Sequence, residues 1–420
     1  MKKLIKYFKI GYFGLIILML TAWLVRYSML GGNRISPKVE NAVIDFASFP
    51  TTVYNFIHKE GITDDRYIFD TVTKAGLHYW VDTAQIPNGG FLISTFKKDK
   101  SLEIKLLDIK RNIIVKHWDL NPDSILKYSV MGEINHNNIR LFHPVLLKDS
   151  SLVFNTQYLL FKIDKHSKIV WVNKHIFHHA IESASDTSVW ACGTIVNKKP
   201  MYLLTHKDTL INDAVTLVNT NTGKVIFQKS LYDMLNENGY NYLITIGPFE
   251  NDAFHLNDVD PAPKDTKYWN KGDLLISLRH RNTVFLYRPS INKILWLKTG
   301  PWTNQHSCSF MDDERIMVFG NDVIRNDRYT KFLYGHSNIY TYNFKTNVID
   351  TPYHKWMNHL KIQAYTEGRC NILSNGDIFF DDSNSGKVYI LNKDTLKLTY
   401  CDRIDSKHVK MMNLVRYIPN

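Results

Sequence analysis

Cysteine is scarce in this 420-residue chain, and its four copies are far apart, at Cys192, Cys308, Cys370 and Cys401. That spacing excludes two familiar arrangements, the paired knuckles of a zinc site and the CxxC redox motif. Outside the cytoplasm the four could form disulfides in any of three connectivities. Buried free thiols within strands are an equal alternative.

Acidic residues are missing from residues 1–38, which contain seven basic ones. These supply +7 of the formal net charge of +12, so the rest of the chain has a surplus of only +5. Nucleic-acid binding needs clustered basic faces with stacking rings, and so thin a surplus does not provide them. We therefore predict no nucleic-acid partner, whereas a small anionic ligand would suit this charge.

Long hydrophobic runs are also lacking, except for residues 10–25, which contain no charge. As a helix this run covers roughly 24 Å, slightly less than a bilayer core, and Arg26 with residues 27–30 can extend it. Four lysines precede it, so the positive-inside rule puts the N-terminus in the cytoplasm. We predict a basic cytoplasmic tail over 1–9, a transmembrane anchor over 10–30, and the remainder on the periplasmic or extracellular face. A cleaved signal peptide is the alternative, although no Ala-x-Ala site follows.

Aromatic residues, by contrast, are abundant at 13% of the chain, which favours strands because rings pack well on a pleated surface. A repeat supports this prediction. A turn of Asn, Asp or Gly followed by an apolar strand occurs six times, at residues 85–94, 147–154, 185–191, 271–277, 311–318 and 374–380. The closing half of the unit, a polar turn before a strand ending in an aromatic residue, is at 164–171, 221–227, 289–296 and 392–400. Both halves have the chemistry of β-hairpins.

Six such units predict an all-β fold, a six-bladed β-propeller of four-stranded blades over residues 77–420. One twisted sheet cannot cover its own faces, and stacking six around an axis buries both faces of each. Residues 31–76 are expected to be a linker, with a short helical segment over 39–57.

Histidines recur just upstream of the turns in four copies of the repeat, at His143, His179, His255 and His306. In a propeller this position is at one end of the innermost strand, so these side chains are expected to face a shared funnel. His143, which precedes a proline, is interpreted as an ordinary buried histidine. His178 is expected to point to the opposite face of its strand from His179.

Two further polar residues accompany these histidines. Asn257 is two residues beyond His255 and is expected on the same side of its strand. Arg279 is expected on the strand after the turn, where burying a guanidinium group costs free energy unless the group binds an anion. Arg369 is a second candidate for such an anion site, although Glu367 could simply pair with it.

A metal site is not predicted, and neither is a cofactor. His175, His178 and His179 would suit a helical metal site, but this stretch alternates as a strand does. We see no carboxylate at ligand spacing beside the funnel histidines, and zinc usually takes three or four ligands with oriented partners behind them.

The stretch from His255-x-Asn257 through Gly272-Asp273, Arg279-His280 and Gln305-His306 resembles the PAPS-independent arylsulfotransferase family. The resemblance spans roughly residues 76–403. It implies a six-bladed propeller outside the cytoplasm that transfers sulfuryl groups from an aryl sulfate donor to a phenolic acceptor through a sulfohistidine. Larger members have a separate N-terminal β domain and a cleaved signal, where we expect an anchor and about forty residues in this sequence. Ser307-Cys308-Ser309 stands where related sequences commonly have an acidic residue after the nucleophile.

Site roles follow from the same resemblance. It makes His306 the nucleophile, Arg279 and Asn257 the groups that bind the sulfuryl oxygens, and His255 and His179 the remaining site histidines. We expect His179 to protonate the leaving phenolate. Tyr268, Trp269 and Trp302 are candidates for a stacking surface for phenols, each equally compatible with core packing.

Two other functions stay open. A membrane-displayed propeller could bind a ligand or protein without chemistry, since propellers have many functions. A quinoprotein-like dehydrogenase would share the repeat, but it needs a calcium site, and we expect no suitable carboxylates on the inner strands.

Overall fold

The structure is a computed structural model that describes residues 2–29, 43, 67–128, 136, 139–195, 211–246, 252–325 and 330–419. It divides into two compact units, residues 1–64 and 65–420. The helix expected over 39–57 falls almost entirely outside the described residues.

The first unit contains one long helix, Lys2–Met29. A helix was predicted here, but within the described residues no helix combines the length and apolarity needed to cross a membrane. Its uncharged run of sixteen residues is shorter than the roughly 20 that a bilayer core requires. The membrane anchor and the location outside the cytoplasm therefore stay predictions.

The second unit is all-β, with its strands in consecutive antiparallel sheets. The first strands are β1 (Tyr67–Phe69), β2 (Gly76–Tyr79), β3 (Gly89–Phe96), β4 (Leu102–Asp108) and β5 (Ile113–Leu120). Blade 2 comprises β6 (Phe142–Leu146), β7 (Leu152–Asn155), β8 (Leu160–Ile163) and β9 (Ile169–Asn173). Blade 3 comprises β10 (Ile176–Ser185), β11 (Ser188–Ile195), β12 (Asn212–Asn219) and β13 (Val225–Ser230).

The remaining blades continue in the same way. Blade 4 comprises β14 (Leu256–Pro261), β15 (Leu274–Leu278), β16 (Thr283–Arg288) and β17 (Lys293–Thr299). Blade 5 contains β18 (Ser307–Phe310), β19 (Arg315–Gly320), an inserted hairpin of β20 (Val323–Arg325) and β21 (Thr330–Phe332), then β22 (Asn338–Asn343) and β23 (Ile349–Asp350). The last strands are β24 (Arg369–Ile372), β25 (Ile378–Asp382), β26 (Lys387–Leu391), β27 (Leu396–Cys401), β28 (His408–Lys410) and β29 (Arg416–Pro419).

Short helices occupy several connections between strands. The α-helical ones are Pro122–Leu126, Leu231–Glu237, Tyr242–Thr245 and His354–His359. The 3-10 turns are Thr83–Gln85, Arg279–Arg281, Pro289–Ile291 and Ser383–Ser385.

Six sheets confirm the six-bladed propeller, and strands from the two ends of the second unit close the ring. β29 is the inner strand of blade 1, ahead of β3, β4 and β5, with Tyr417 opposite Phe91. β2 is the outermost strand of blade 6, beside β27, with Leu77 opposite Tyr400. Blade 6 therefore has five strands rather than the four expected, because β2 covers its outer edge. β1 pairs separately with β28.

Apolar side chains between adjacent blades form the core. Between blades 1 and 2, Leu92 and Trp118 pack with Phe154 and Phe161, and the last two rings stack with centroids 5.6 Å apart. Burial of both faces of a sheet explains why many strands read as nearly continuous apolar runs. All four cysteines are buried free thiols, which supports the second of the two alternatives for them.

A buried ion network joins three blades at the inner strands. Glu182 of β10 binds Arg369 of β24 and Arg416 of β29, each at 2.7 Å. Burial alone would raise the pKa of Glu182, but the two guanidinium groups outweigh it and lower the pKa to about 2. Arg416 also donates to the carbonyl oxygen of Pro144 at 2.8 Å in blade 2. Arg369 is therefore a structural ion-pair residue, and its partner is Glu182 rather than Glu367.

Carboxylates also line the inner strand of blade 4, contrary to our expectation. Asp258 accepts a hydrogen bond from the Cys308 backbone N–H at 2.8 Å, and Asp260 accepts one from Phe310 at 3.3 Å. These bonds connect blades 4 and 5. Burial, reinforced by Glu182, raises the pKa of Asp258 to about 7. Sequence spacing did not identify these residues because they come together only when the ring closes.

We predict that Arg416→Met lowers the free energy of unfolding by about 3–5 kcal/mol, because it leaves the buried Glu182 with a single partner. Lys148→Met is the matched control, since its ion pair with Asp186 has side chains 81% and 66% exposed and should contribute at most about 1 kcal/mol. Urea unfolding of both variants measures the difference. Equal losses would contradict a stabilising role for the buried network.

Candidate active site

The inner strands of the blades begin with the same backbone feature. At or just before each of them, one non-glycine residue has φ between 49° and 63°: His143, His179, His255, Asn304, Glu367 and Leu414. This left-handed conformation is uncommon outside glycine and costs free energy. It interrupts the strand alternation, so side chains near the strand starts turn toward one another instead of pointing to opposite faces.

Three of the predicted histidines converge, each from a different blade. The ring centroids of His179 and His255 are 4.7 Å apart, and the ring of His306 is 6.2 Å from the first and 6.3 Å from the second. One nitrogen of each ring lies within 4.8 Å of a nitrogen of the other two. The expected meeting of imidazoles from blades 3, 4 and 5 is present.

His306 is held by Asn321, a residue that the sequence reasoning missed. Its Nδ1 is 2.5 Å from the Asn321 Oδ1. The Asn321 amide nitrogen donates to the carbonyl oxygens of Ala364 and Glu367 at 2.7 and 2.8 Å, so its oxygen must face the ring. His306 therefore carries its proton on Nδ1, and Nε2 has a free lone pair. Asn321 directly follows β19, as Arg279 directly follows β15, and polar residues directly after the second strand of a blade would have been the signal.

His255 is held by a carboxylate, contrary to our expectation that none accompanied the histidines. Its Nδ1 contacts the side chain of Asp252, whose Oδ1 also accepts from the His255 backbone N–H at 3.0 Å. The ring of His280 stacks on that of His255 with centroids 4.5 Å apart. Asp252 orients the His255 ring and leaves Nε2 for the centre.

Arg279 lies beside this pair, in the 3-10 turn after β15 rather than on the strand itself. It is buried, and its Nη1 is 3.0 Å from the His280 Nε2. The His280 Nδ1 is 2.7 Å from the backbone oxygen of Asp252 and must donate to it. The His280 Nε2 can then accept from Arg279, which fixes the guanidinium.

His179 is held through a second histidine. Its Nδ1 is 2.9 Å from the Nδ1 of His178, and the His178 Nε2 is 3.3 Å from a carboxylate oxygen of Asp213. A β-bulge follows His178, so the two rings touch instead of pointing to opposite faces as we expected. His178 thus supports the site from behind.

Burial sets the protonation of the site. It lowers the pKa of His306 well below 6.5, and the charge of Arg279 lowers it further. Burial likewise lowers the pKa of His179, with the neighbouring ring of His255 adding to the effect. Both imidazoles are therefore neutral, and nucleophilic, at neutral pH.

A small cavity opens beside the rings of His179 and His306. Its volume is about 20 Å³, room for one water molecule. The lining residues are Phe142, His143, Gln157, His179, Asn257, His306, Glu367, Gly368 and Leu414. His143, which we interpreted as an ordinary buried histidine, is buried and also lines this cavity.

Asn257 also faces the cavity, from the bulge at the start of β14. Its amide nitrogen donates to the backbone oxygen of Gln305 at 2.6 Å, and its Oδ1 has no partner among the described residues. The His255 residue precedes β14, so the two do not share a regular strand as expected. The second amide N–H and the Oδ1 of Asn257 therefore remain available to bind a ligand.

The three aromatic candidates do not line this cavity. Trp302 packs against Tyr340 in one interblade core, and Trp269 packs against Phe310 in another. Tyr268 contacts Phe344. These rings are structural.

The family model for arylsulfotransferase (ASST) matches residues 143–400, well over half of the chain. The chain belongs to the arylsulfotransferase family. Membership implies a sulfotransferase, with aryl sulfates and phenols as its substrate classes. The match covers His143, the three converging histidines, Asn257, Arg279 and Asn321.

Other comparisons add only weak likeness. No curated protein sequence matches this arylsulfotransferase-family chain. A protein of unknown function from Bacteroides caccae has 13% identity and a TM-score of 0.48, covering 79% of this chain and all of that one. The Pan2 WD40 domain of Neurospora crassa has 9% identity and a TM-score of 0.42 over 84% of this chain and 96% of its own. TolB from Acinetobacter baumannii has 8% identity and a TM-score of 0.44 over 79% and 67%. At these values the likeness carries no information on function.

We predict that NMR of histidine-labelled protein shows the His306 ring protonated on Nδ1, because the Asn321 oxygen can only accept. In Asn321→Leu this tautomer should lose its preference. Asn375→Leu, at an exposed turn, is the matched control and should leave the His306 signals unchanged. A wild-type ring protonated on Nε2 would refute the assignment.

Proposed function

We propose that this protein moves a sulfuryl group from an aryl sulfate to a phenol through a covalent sulfohistidine on His306, without PAPS. One observation carries the proposal: the neutral imidazole of His306 has its Nδ1 bound to Asn321 and its Nε2 free beside a buried arginine. Family membership implies the substrate classes. The covalent route and the residue roles are our proposal.

In the first half-reaction, the Nε2 lone pair of His306 attacks sulfur as the bond from sulfur to the aryl oxygen breaks. The electron pair of that bond leaves on the phenolate oxygen. Arg279, fixed by His280, faces the negative charge of the sulfuryl oxygens, and the second N–H of Asn257 can donate to them. Groups fixed before the reaction stabilise its charge at little cost in reorganisation.

Asn321 has a specific consequence for the intermediate. Sulfuryl transfer to Nε2 makes the ring cationic, with the proton still on Nδ1. The amide oxygen of Asn321 accepts this hydrogen bond but cannot take the proton, so the ring stays a good leaving group. Asn321 also orients the ring in place of the acidic residue that is missing after His306. We had expected the absence of that residue to weaken the orientation of the ring.

The proton for the phenolate comes from His255 in this proposal, rather than from His179 as we first expected. The carboxylate of Asp252 contacts the Nδ1 of His255 and offsets the positive charge that this ring carries as the proton donor. His179 contacts the imidazole of His178 instead of a carboxylate, and burial lowers the pKa of His179. In the second half-reaction His255 takes the proton of the acceptor phenol, whose oxygen attacks sulfur and returns the bonding pair to His306.

The cavity limits how the substrate binds. Space for one water molecule admits only part of the sulfuryl head group, so the aryl ring lies at the mouth. The site therefore recognises the sulfate ester and discriminates weakly among phenols.

We predict that His306→Ala lowers release of nitrophenolate from 4-nitrophenyl sulfate, with phenol as acceptor, by at least on the order of a thousandfold, because the nucleophile is gone. His166→Ala, at an exposed turn, is the control and should keep the wild-type rate. Thermal melting checks that both variants fold.

A His306→Ala rate within a few-fold of wild type would exclude His306 as the nucleophile. No release by the wild-type protein itself would favour the propeller that binds without chemistry.

A further inference from the structure

The three central histidines share a property that sulfuryl transfer from His306 does not need. In each ring the Nδ1 atom contacts a residue behind the ring. The partner is His178 for His179, Asp252 for His255 and Asn321 for His306. The Nε2 atoms are therefore the nitrogens left to face the centre. Sulfuryl transfer needs one free Nε2 as nucleophile, whereas three converging ones form a ligand set.

We propose that His179, His255 and His306 bind one divalent transition-metal ion of the zinc class through their Nε2 atoms. This departs from our expectation of a site without metal. The inference does not rest on the proposed function, because it concerns the ground-state protein alone.

The distances are close to those a metal requires. Nitrogens of the three rings lie within 4.8 Å of one another. Tetrahedral zinc with bonds of about 2.0–2.1 Å separates its ligand nitrogens by about 3.4 Å, so tilts that move the ring edges by about 1 Å complete the site. Side chains on three separate blades can make such tilts without moving a strand.

The groups behind the rings are those that accompany metal-bound histidines. Such histidines usually donate their other ring N–H to a carboxylate or a carbonyl oxygen, which fixes the tautomer and strengthens the ligand. Asp252 does this for His255, and the Asn321 oxygen does it for His306. His179 differs, because its Nδ1 contacts the Nδ1 of His178, whose Nε2 lies 3.3 Å from an Asp213 carboxylate oxygen.

Charge and space are also compatible with a cation. The carboxylates of Asp252 and Asp213 lie behind the rings and offset the single positive charge of Arg279. The adjoining cavity has room for one water molecule, the fourth ligand that an open zinc site takes. Three imidazoles favour zinc, copper, nickel or cobalt over magnesium and calcium, which prefer oxygen.

Metal binding and sulfuryl transfer would exclude each other, since both use the Nε2 lone pair of His306. An ion at this site would act as a reversible inhibitor, and this consequence alone depends on the proposed function.

The test uses the full-length, untagged chain, freed of metal with EDTA and titrated with Co²⁺, whose visible absorption reports nitrogen coordination. We expect one equivalent to bind, Zn²⁺ to displace it and Mg²⁺ to leave it in place. His179→Asn should weaken binding at least tenfold, and Asn suits the positive φ at this position. Asp252→Asn should weaken it roughly 10–100-fold.

His166→Ala is the control and should bind as the wild type does. A wild-type protein without a cobalt spectrum overturns the proposal whatever the variants do. Binding that survives in His179→Asn overturns it too, because the ion would then sit elsewhere.

A second arm separates this inference from the proposed function. Zn²⁺ should stop nitrophenolate release and EDTA should restore it. A cobalt spectrum in a protein that never releases nitrophenolate supports the metal site and contradicts the sulfotransferase. Faster release with Zn²⁺ overturns mutual exclusion.

Discussion

Every central imidazole is held from behind by a hydrogen bond to Nδ1, and the chemistry of the site depends on that constraint. Asn321, Asp252 and His178 each occupy the outer nitrogen of one ring. A histidine without such a partner can protonate either nitrogen and rotate. Here the Nε2 atoms are left facing the centre before any substrate arrives, so little reorganisation is needed when charge develops.

The partners differ in kind, which separates rings of the same type. An amide oxygen behind His306 cannot accept a proton, so that ring is suited to nucleophilic attack. A carboxylate behind His255 offsets the positive charge of a ring that passes protons, which suits that ring to acid–base chemistry. The partner behind His179 is another imidazole, that of His178, which supplies neither an amide oxygen nor a carboxylate. His179 and His255 themselves adopt the left-handed backbone conformation, a strain that the closed ring of blades maintains.

The residues that stabilise the propeller at its inner strands also affect the charge state of the site. Glu182, Arg369 and Arg416 connect blades 3, 6 and 1 at the inner strands. The charges of Arg416 and Arg369 reinforce the effect of burial in lowering the pKa of His143, a cavity residue. Because one terminal strand closes the inner edge of blade 1, the last residues of the chain contribute to holding the site together.

Much of this architecture could be predicted from sequence, because hairpin turns and apolar strands recur at a regular spacing. The same register pointed to His179, His255 and His306, since equivalent positions in a propeller face one axis. Asn321 and Asp252 were missed because neither belongs to the histidine register. That His143 lines the cavity could not be predicted, because a single sequence does not show which side of a bulged strand a residue faces. Arg369 was misread, as its partner Glu182 is distant in the chain and becomes adjacent only in the closed ring.

The central claim is that His306 carries the sulfuryl group, and mass spectrometry of protein quenched during reaction with 4-nitrophenyl sulfate tests it most directly. We expect one sulfuryl adduct that maps to the peptide containing His306 and disappears when phenol is added. An adduct on another residue, or none while nitrophenolate is released, would contradict the account.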